Sequence, residues 1–307
     1  LFAFSSVWLC CSVMAANDFK QIEYTPPEID YDVIGRLWDF VKTSTHAPAD
    51  LPPPKLVLDW HVPPFARMGF QYPTEKFPEY KANRSSTPDE FRSQMSHLNE
   101  MIESFGIKHF EIEGYEADDI IASLAKKAQL ENFQVLICTG DRDSFQLVNE
   151  NVTVLYPKKG VTEMSRMTPN TVFEKYGLTP TQYPDFAALR GDPSDNLPSI
   201  PGVGEKTATK WISDYGSLEK LIENAGEIAG KVGQSLRENL STVRLNRELT
   251  HLLDDLEMNV NVSDLNWIGF DSNRMGSFFA ATSPSKTAGT LATIMPTVVP
   301  ATTAMTS

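Results

Sequence analysis

Short apolar runs alternate with amphipathic stretches through the middle of the chain. Runs at residues 55–59, 134–139 and 152–156 have the length of buried strands. Between them, the spacing of apolar positions predicts helices over residues 88–105 and 116–130, and a further helix starts at 143–148. Ile120, Ile121 and Leu124 share one face of the second helix, which predicts a buried stripe. Strands that alternate with helices indicate an α/β fold, with a parallel sheet and helices on both of its faces.

The second half of the chain has a different pattern, which is entirely helical from Thr168 onward. Thr168 and Thr179 each precede a proline, a combination typical of helix starts. Gly202 and Gly204 precede a helix predicted over residues 205–215. Backbone N–H groups exposed at such a glycine hairpin can bind a phosphate, although an ordinary helix–turn–helix packing unit has the same pattern.

These patterns divide the chain into four regions. They are an unassigned segment at 1–54, an α/β core at 55–165, a helical region at 166–282 and a disordered tail at 283–307 that is rich in Thr, Ala, Ser and Pro. The apolar stretch at 1–16 is too short to span a bilayer. Three cysteines provide neither a disulfide framework nor zinc-ligand spacing, so we expect a cytoplasmic protein with no membrane partner.

Carboxylates are concentrated where the predicted elements meet loops. Three groups stand out, with a further acid at the end of the first core strand: Glu116, Asp118 and Asp119; Asp141 and Asp143; Asp192 and Asp195; and Asp59. Acids are common in the first turn of helices and in loops, which is the alternative explanation for each group taken singly. Together, however, neighbouring carboxylates repel one another unless a cation compensates them, and Mg²⁺ prefers oxygen ligands. The pattern therefore predicts a two-metal phosphodiesterase site.

Charge alone does not identify the substrate. The formal net charge of -13 disfavours a nucleic-acid partner, but bound metal would neutralise several of the acids. Lys206 and Lys210 lie on adjacent turns of one predicted helix face, where they suit phosphate contacts. Tyr80 is suited to stacking on a base, and Lys81 and Arg84 to gripping phosphates, although a solvated loop explains this stretch almost as well.

Five motifs, in order, resemble those of the flap-endonuclease family, which includes the 5′-nuclease domains of bacterial DNA polymerase I. They are FPEYKANRSSTPDEF at 77–91, GYEADD at 114–119, TGDRD at 139–143, GDPSDNLP at 191–198 and PGVGEKTA at 201–208. The resemblance implies a PIN-like (Rossmann-like) nuclease core followed by a helix-hairpin-helix (H3TH) subdomain. It also implies a divalent-metal-dependent, structure-specific 5′-3′ exonuclease or flap endonuclease that removes primers or flaps in DNA replication and repair.

The same resemblance implies a role for each candidate residue. Two Mg²⁺ or Mn²⁺ ions would be held by the eight acids named above, and Lys81 and Arg84 would contact the scissile phosphate or the flap. The residues that would bind DNA are Tyr80, Gly202, Gly204, Lys206, Thr207 and Lys210. A potassium ion would bind at the hairpin, and the partners would be flap, nicked or primer-containing DNA and a DNA polymerase acting in trans.

The N-terminal part departs from the family pattern. The family opens with a strand ending in Asp-Gly-His, which residues 56–61 resemble, and the second strand and its acid would then be missing. If the sequence before Phe77 is instead aligned to the family without gaps, Ala66 stands where the second strand of the family ends in Asp. Both alignments predict that one metal ligand is absent, and the first also removes a central strand. A DNA-junction-binding remnant without catalysis is therefore the second hypothesis, and a small-molecule phosphatase the third.

Overall fold

The computed structural model describes residues 77–82, 102–104, 106–159 and 163–265, with isolated positions at 100, 271, 273, 274 and 277. It also describes the backbone of two short strands at 2–5 and 56–59. The helix predicted over 88–105 lies largely outside these ranges, as does the tail at 283–307.

Six strands form one sheet. They are β1 (Phe2–Ser5), β2 (Leu56–Asp59), β3 (Lys108–Phe110), β4 (Val135–Cys138), β5 (Val152–Lys159) and β6 (Glu163–Met167). Their order is β3-β2-β1-β4-β5-β6, and all neighbours are parallel except β5 and β6. The α/β prediction is confirmed, but the antiparallel edge strand β6 corrects the expectation of an all-parallel sheet. Its residues, Glu-Met-Ser-Arg-Met, are too polar to form the apolar run on which that expectation depended.

A central strand comes from the segment that the sequence analysis left without a role. β1 lies between β2 and β4, so Leu56–Asp59 is the second strand of the sheet along the chain. The expectation of a missing central strand is therefore wrong. A four-residue strand such as Phe-Ala-Phe-Ser carries too little pattern to be recognised before its partners are known.

Seven α-helices follow or interrupt the strands in the described part of the chain. They are α1 (Ala117–Leu130), α2 (Pro169–Tyr176), α3 (Tyr183–Arg190), α4 (Glu205–Tyr215), α5 (Leu218–Glu223), α6 (Gly230–Glu238) and α7 (Leu240–Thr250). The predicted buried stripe of α1 is confirmed, because Ile120, Ile121 and Leu124 are fully buried. The predicted helix at Asp143 is a 3₁₀-helix, Asp143–Leu147. No helix of the described residues is long and apolar enough to cross a membrane.

Aromatic rings join the sheet to the helical half. The ring of Phe145, in the 3₁₀-helix after β4, lies 5.4 Å from that of Tyr183 on α3, and Tyr183 lies 5.7 Å from Phe186. All three side chains are almost completely buried. The acid-bearing loop after α3 is therefore held against the sheet by a continuous core.

The strand order places a ligand-binding edge at the middle of the sheet. The order in which successive strands are added to the sheet reverses between the parallel strands β1 and β4, and ligands of such sheets bind beyond the carboxyl ends of the strands at this point. Asp59 ends β2 opposite Ser5 of β1, while Asp141 follows β4 at the same edge. Two strand spacings separate β2 from β4, so their ends are about 10 Å apart.

Candidate functional site

The first group of acids opens α1. Glu116 is the N-cap residue, and its backbone N–H donates to Asp119 Oδ2 at 3.2 Å. Asp119 Oδ1 accepts a second backbone hydrogen bond, from Leu253 at 2.9 Å. Between them, Asp118 is half-buried, and its buried Oδ1 atom has no hydrogen-bond partner among the described residues. Two of the three acids thus shape the helix start, and the third has one buried carboxylate oxygen without a hydrogen-bond partner among the described residues.

The second group forms a tight turn directly after β4. The backbone N–H of Asp141 donates to Thr139 Oγ1 at 3.0 Å, and that of Asp143 donates to Asp141 Oδ1 at 2.9 Å. Such side-chain-to-backbone bonds are typical of Asp in turns. The turn places both carboxyl groups at the sheet edge, and Asp143 then begins the 3₁₀-helix.

The third group lies in the loop after α3, within a 3₁₀-turn at Pro193–Asp195. Asp192 Oδ1 accepts hydrogen bonds from the backbone N–H and the hydroxyl of Ser194 at 2.8 and 2.6 Å. The guanidinium of Arg190 lies 3.6 Å from Asp192 Oδ2. Asp195 is buried beside Tyr80, whose hydroxyl donates to Asp195 Oδ2 at 3.3 Å.

Lys81 connects the first and third groups. Its backbone has a φ of 57°, a left-handed conformation that is uncommon outside glycine, and its N–H donates to the carbonyl oxygen of Asp195 at 3.0 Å. This backbone geometry directs its ammonium to Glu116 Oε1 at 2.5 Å, with Asp195 Oδ2 at 3.8 Å. Lys81 is therefore the cation that bridges acids from two distant parts of the chain.

Burial and repulsion by neighbouring acids make the ionised forms of Asp118 and Asp143 unfavourable. Burial raises the pKa of Asp118 well above its ordinary value, and the negative charges of Asp141 and Glu116 raise it further. Burial likewise raises the pKa of Asp143, with added repulsion from Asp141 and Asp195. The acids of all three groups thus lie close enough to influence one another.

This cluster has the chemistry of a divalent-cation site but not a closed geometry. Among the described residues, no three His, Cys, Asp or Glu side chains lie close enough to hold one ion. The donor atoms nevertheless fit a hard cation, because they are carboxylate oxygens and one of them, Asp118 Oδ1, is buried without a partner. A bound ion would compete with the ammonium of Lys81 for the carboxylate of Glu116.

The hairpin is formed as the sequence predicted. Gly202 has a φ of 80°, Gly204 is the N-cap residue of α4, and the helix runs over Glu205–Tyr215. Lys206 is exposed, and Lys210 is exposed but paired with Asp214 at 2.5 Å. A Cβ on Gly204 would meet no atom within 4 Å, so the hairpin surface is open.

The structure thus brings Lys81 and the seven acids from Glu116 to Asp195 together with Tyr80. Arg84 lies outside the described residues, and for Asp59 only its place in β2 is described. Sequence reasoning missed two polar residues of the site, Thr139 and Gln146. The position of Thr139, immediately after a strand and two residues before Asp141, was a usable signal. Gln146 carried no such signal, because a single glutamine in a 3₁₀-helix follows no recognisable pattern.

Removing the charge of Asp118 should stabilise the metal-free protein. We expect Asp118→Asn to raise the free energy of unfolding by about 1–2 kcal/mol at neutral pH, because the wild-type carboxylate is desolvated, has one oxygen without a partner among the described residues, and is repelled by its neighbours. A raised pKa means that the folded protein binds protons more tightly, so the wild type loses stability as pH rises above about 4. The stability advantage of Asp118→Asn over the wild type should therefore grow as the pH rises.

Thermal unfolding in EDTA at several pH values measures this difference. Saturating Mg²⁺ should stabilise the wild type more than the variant and so reduce or reverse the gain. A variant that is less stable than the wild type in EDTA at pH 8 would contradict the expected repulsion.

The curated proteins that resemble this chain include DNA polymerase I from several bacteria. The chain is 60% identical over 184 residues to DNA polymerase I of Mycobacterium tuberculosis, covering 60% of this chain and 20% of that protein. It is 42% identical over 204 residues to DNA polymerase I of Bacillus subtilis, covering 66% of this chain and 23% of that protein. The chain thus spans about a fifth of the length of these curated relatives.

Solved structures share the fold at low sequence identity. T5 5′-exonuclease, in a structure with bound zinc ions, superposes with a TM-score of 0.62 at 18% identity, covering 92% of this chain and 97% of that chain. The catalytic core of Rad2 in complex with a DNA substrate gives a TM-score of 0.53 at 16% identity, covering 91% and 86%.

Two sequence models of one family match consecutive parts of the chain. The N-terminal resolvase-like domain of 5′-3′ exonucleases matches residues 66–177, and their C-terminal SAM-fold domain matches residues 178–273. The matched segments contain all five motifs and the three groups of acids. The chain therefore belongs to the 5′-3′ exonuclease family.

Proposed function

We propose that this chain is a divalent-metal-dependent, structure-specific 5′-3′ exonuclease and flap endonuclease that acts on DNA in replication and repair. The observation that carries the proposal is the convergence of the half-buried Asp118, Asp141 and Asp143 at the switch point of the sheet, where desolvation and mutual repulsion raise the pKa of each carboxyl group. A structural role does not require three such like charges side by side. A site that binds divalent ions does.

The ions in our proposal are two Mg²⁺ or Mn²⁺; the zinc-bound structure of T5 5′-exonuclease supports a divalent ion in this fold. Their proposed ligands are Asp59, Glu116, Asp118, Asp141, Asp143, Asp192 and Asp195. When bound, such ions activate water and stabilise the negative charge that develops on the phosphate. The chain itself would hold the phosphate through Lys81, with Arg84 as a second cation, because Lys81 already lies between two acid groups.

DNA would bind across the hairpin. The open surface at Gly204 and the exposed Lys206 suit backbone phosphates, with Gly202, Thr207 and Lys210 completing the contact. Tyr80 is buried against Asp195, so we assign it to holding Lys81 in place and not to stacking on an exposed base. We also propose a potassium ion at the hairpin and a DNA polymerase acting in trans, the latter supported by the names of the relatives.

Cleavage of a labelled 5′-flap duplex tests this function. With Mg²⁺ or Mn²⁺ we expect cleavage near the junction, and with Ca²⁺ we expect binding that weakens as salt rises because phosphate contacts release counterions. A matched single-stranded oligonucleotide is the control for structure specificity. Turnover of free phosphomonoesters without cleavage of the duplex would replace the nuclease proposal with a phosphatase.

A specific observation favours one alternative function. β1 lies at the switch point and ends with Ser5. Its four residues, Phe-Ala-Phe-Ser, contain no carboxylate. A protein that lacks one ion ligand could hold a DNA junction without cutting it. Tight binding of the flap duplex in Ca²⁺, with no product in Mn²⁺ at high enzyme concentration, would establish this alternative.

A further inference from the structure

The segment that follows α7 crosses both acid-bearing elements of the α/β half. We call residues 251–256 the strap. It has no regular secondary structure, yet it makes hydrogen bonds to the 3₁₀-helix that begins at Asp143 and to α1. These contacts involve neither the hairpin nor the side chains of Asp118, Asp141 and Asp143.

One side chain joins the strap to the second acid group. The amide of Gln146 donates to the carbonyl oxygens of Asp143 and Thr250, both at 2.8 Å. Its oxygen accepts from the backbone N–H of Leu252 at 3.2 Å. Both donors and the acceptor of one amide are thus used. Asp143 is thereby tied to the end of α7 and the start of the strap.

Two side chains on one face of α1 join the strap to the first acid group. Asp119 accepts from the backbone N–H of Leu253 at 2.9 Å, while its other oxygen accepts from that of Glu116. One turn further along, Ser123 donates to the carbonyl of Leu253 at 3.2 Å and accepts from the N–H of Leu256 at 3.1 Å. Both oxygens of Asp119 therefore serve the backbone.

The helix that precedes the strap holds the third acid group. Asn246 of α7 is fully buried, and its amide donates to the carbonyl oxygens of Ala188 and Pro198 at 3.0 and 2.9 Å. These two residues flank the loop that carries Asp192 and Asp195. α7 and the strap together consequently contact all three acid-bearing segments.

We infer that Gln146, Asn246 and Asp119 are positioning residues, through which α7 and the strap set the spacing of the three acid groups. The inference rests on the proposed function, because spacing matters only where the acids share ions. It also assigns Asp119 to positioning and not to ion coordination. Groups that orient metal ligands without touching the metal typically contribute 10–100-fold to affinity or activity, which sets the size of the expected effect.

Gln146→Leu tests the inference, because leucine has similar size but makes none of the three hydrogen bonds. We expect the dissociation constant for Mn²⁺, measured by isothermal titration calorimetry on the metal-free protein, to rise about tenfold. We expect kcat for flap cleavage to fall by a similar factor, while KM for DNA stays within twofold because the hairpin is untouched. Partial unfolding would lower the apparent kcat without changing KM, but in calorimetry it would lower the stoichiometry of Mn²⁺ binding and leave the dissociation constant unchanged, so the dissociation constant separates the two explanations.

Ser123→Ala provides a second variant that removes two strap hydrogen bonds and no charge. It should weaken Mn²⁺ binding in the same direction but by less, and it decides the matter if Gln146→Leu does not fold. Lys126→Ala is the matched control, since it removes only the exposed ion pair between the strap residue Asp254 and α1, and it should bind Mn²⁺ as the wild type does.

Folded Gln146→Leu and Ser123→Ala proteins that bind Mn²⁺ with wild-type affinity would overturn the inference. The calorimetric measurement does not depend on turnover. A wild type that binds Mn²⁺ but cuts no DNA would refute the nuclease proposal, while the Mn²⁺ affinities of the variants would still decide the role of the strap.

Discussion

Asp141→Asn is expected to lower kcat for cleavage of a 5′-flap duplex by about 1000-fold, which corresponds to about 4 kcal/mol of transition-state stabilisation. Asp141 lies at the switch point of the sheet, where burial raises the pKa of its carboxyl group and the charge of Asp195 raises it further. Its carboxylate is one of those that an ion would share. Asparagine has the same shape but only one oxygen and no charge.

Binding of the same duplex in Ca²⁺ should be largely kept, because the proposed phosphate contacts lie at the hairpin and not at the sheet edge. Single-turnover kinetics and a binding titration at one salt concentration measure the two quantities. Glu174→Gln, which removes one exposed charge on α2, is the control and should cleave normally. Asp192→Asn should resemble Asp141→Asn. Cleavage by Asp141→Asn within tenfold of the wild type would remove Asp141 from the site.

Gly191→Ala should destabilise the fold by about 3–5 kcal/mol and lower the melting temperature by about 10 °C. Gly191 ends α3 with φ 71° and ψ 173°, a region of backbone space used almost entirely by glycine. A Cβ there would lie 2.6 Å from the backbone nitrogen of Ser199 and 2.8 Å from the carbonyl oxygen of Leu197. Backbone atoms cannot move aside as a flexible side chain can.

Gly216→Ala is the matched control for this substitution. Gly216 also has a positive φ, 84°, but a Cβ there would meet nothing within 4 Å. Gly216→Ala should lower the free energy of unfolding only by the backbone strain, about 1–2 kcal/mol. Thermal denaturation followed by circular dichroism compares the two variants. Equal losses of stability would show that the close approach of the loop carrying Asp192 to Gly191 contributes nothing.

Local pattern accounts for the parts of the structure that the sequence predicted. The stripe of α1 and the start of α4 were predicted because helix periodicity and caps are encoded within a few residues. The acid groups were identified because each lies next to an apolar run. Repulsion between Asp118 and Asp141 then follows from topology, since parallel strands bring their carboxyl ends to one edge.

Long-range features were missed for an equally physical reason. β1 is four residues long and is separated from β2 by some fifty residues, so nothing local indicates its pairing. The same holds for Gln146, whose three hydrogen bonds depend on a segment that is 104 residues away in sequence. A polar residue of this kind is recognisable only when its partners are in place.

The packed rings of Phe145, Tyr183 and Phe186 join segments on the two sides of residue 177, where the two family models meet. Cutting the chain there would separate Phe145 from the ring of Tyr183 and expose the aromatic side of α3 to water. The two halves are therefore not separable fragments. They should melt in one cooperative transition, so damage to either half removes both at once.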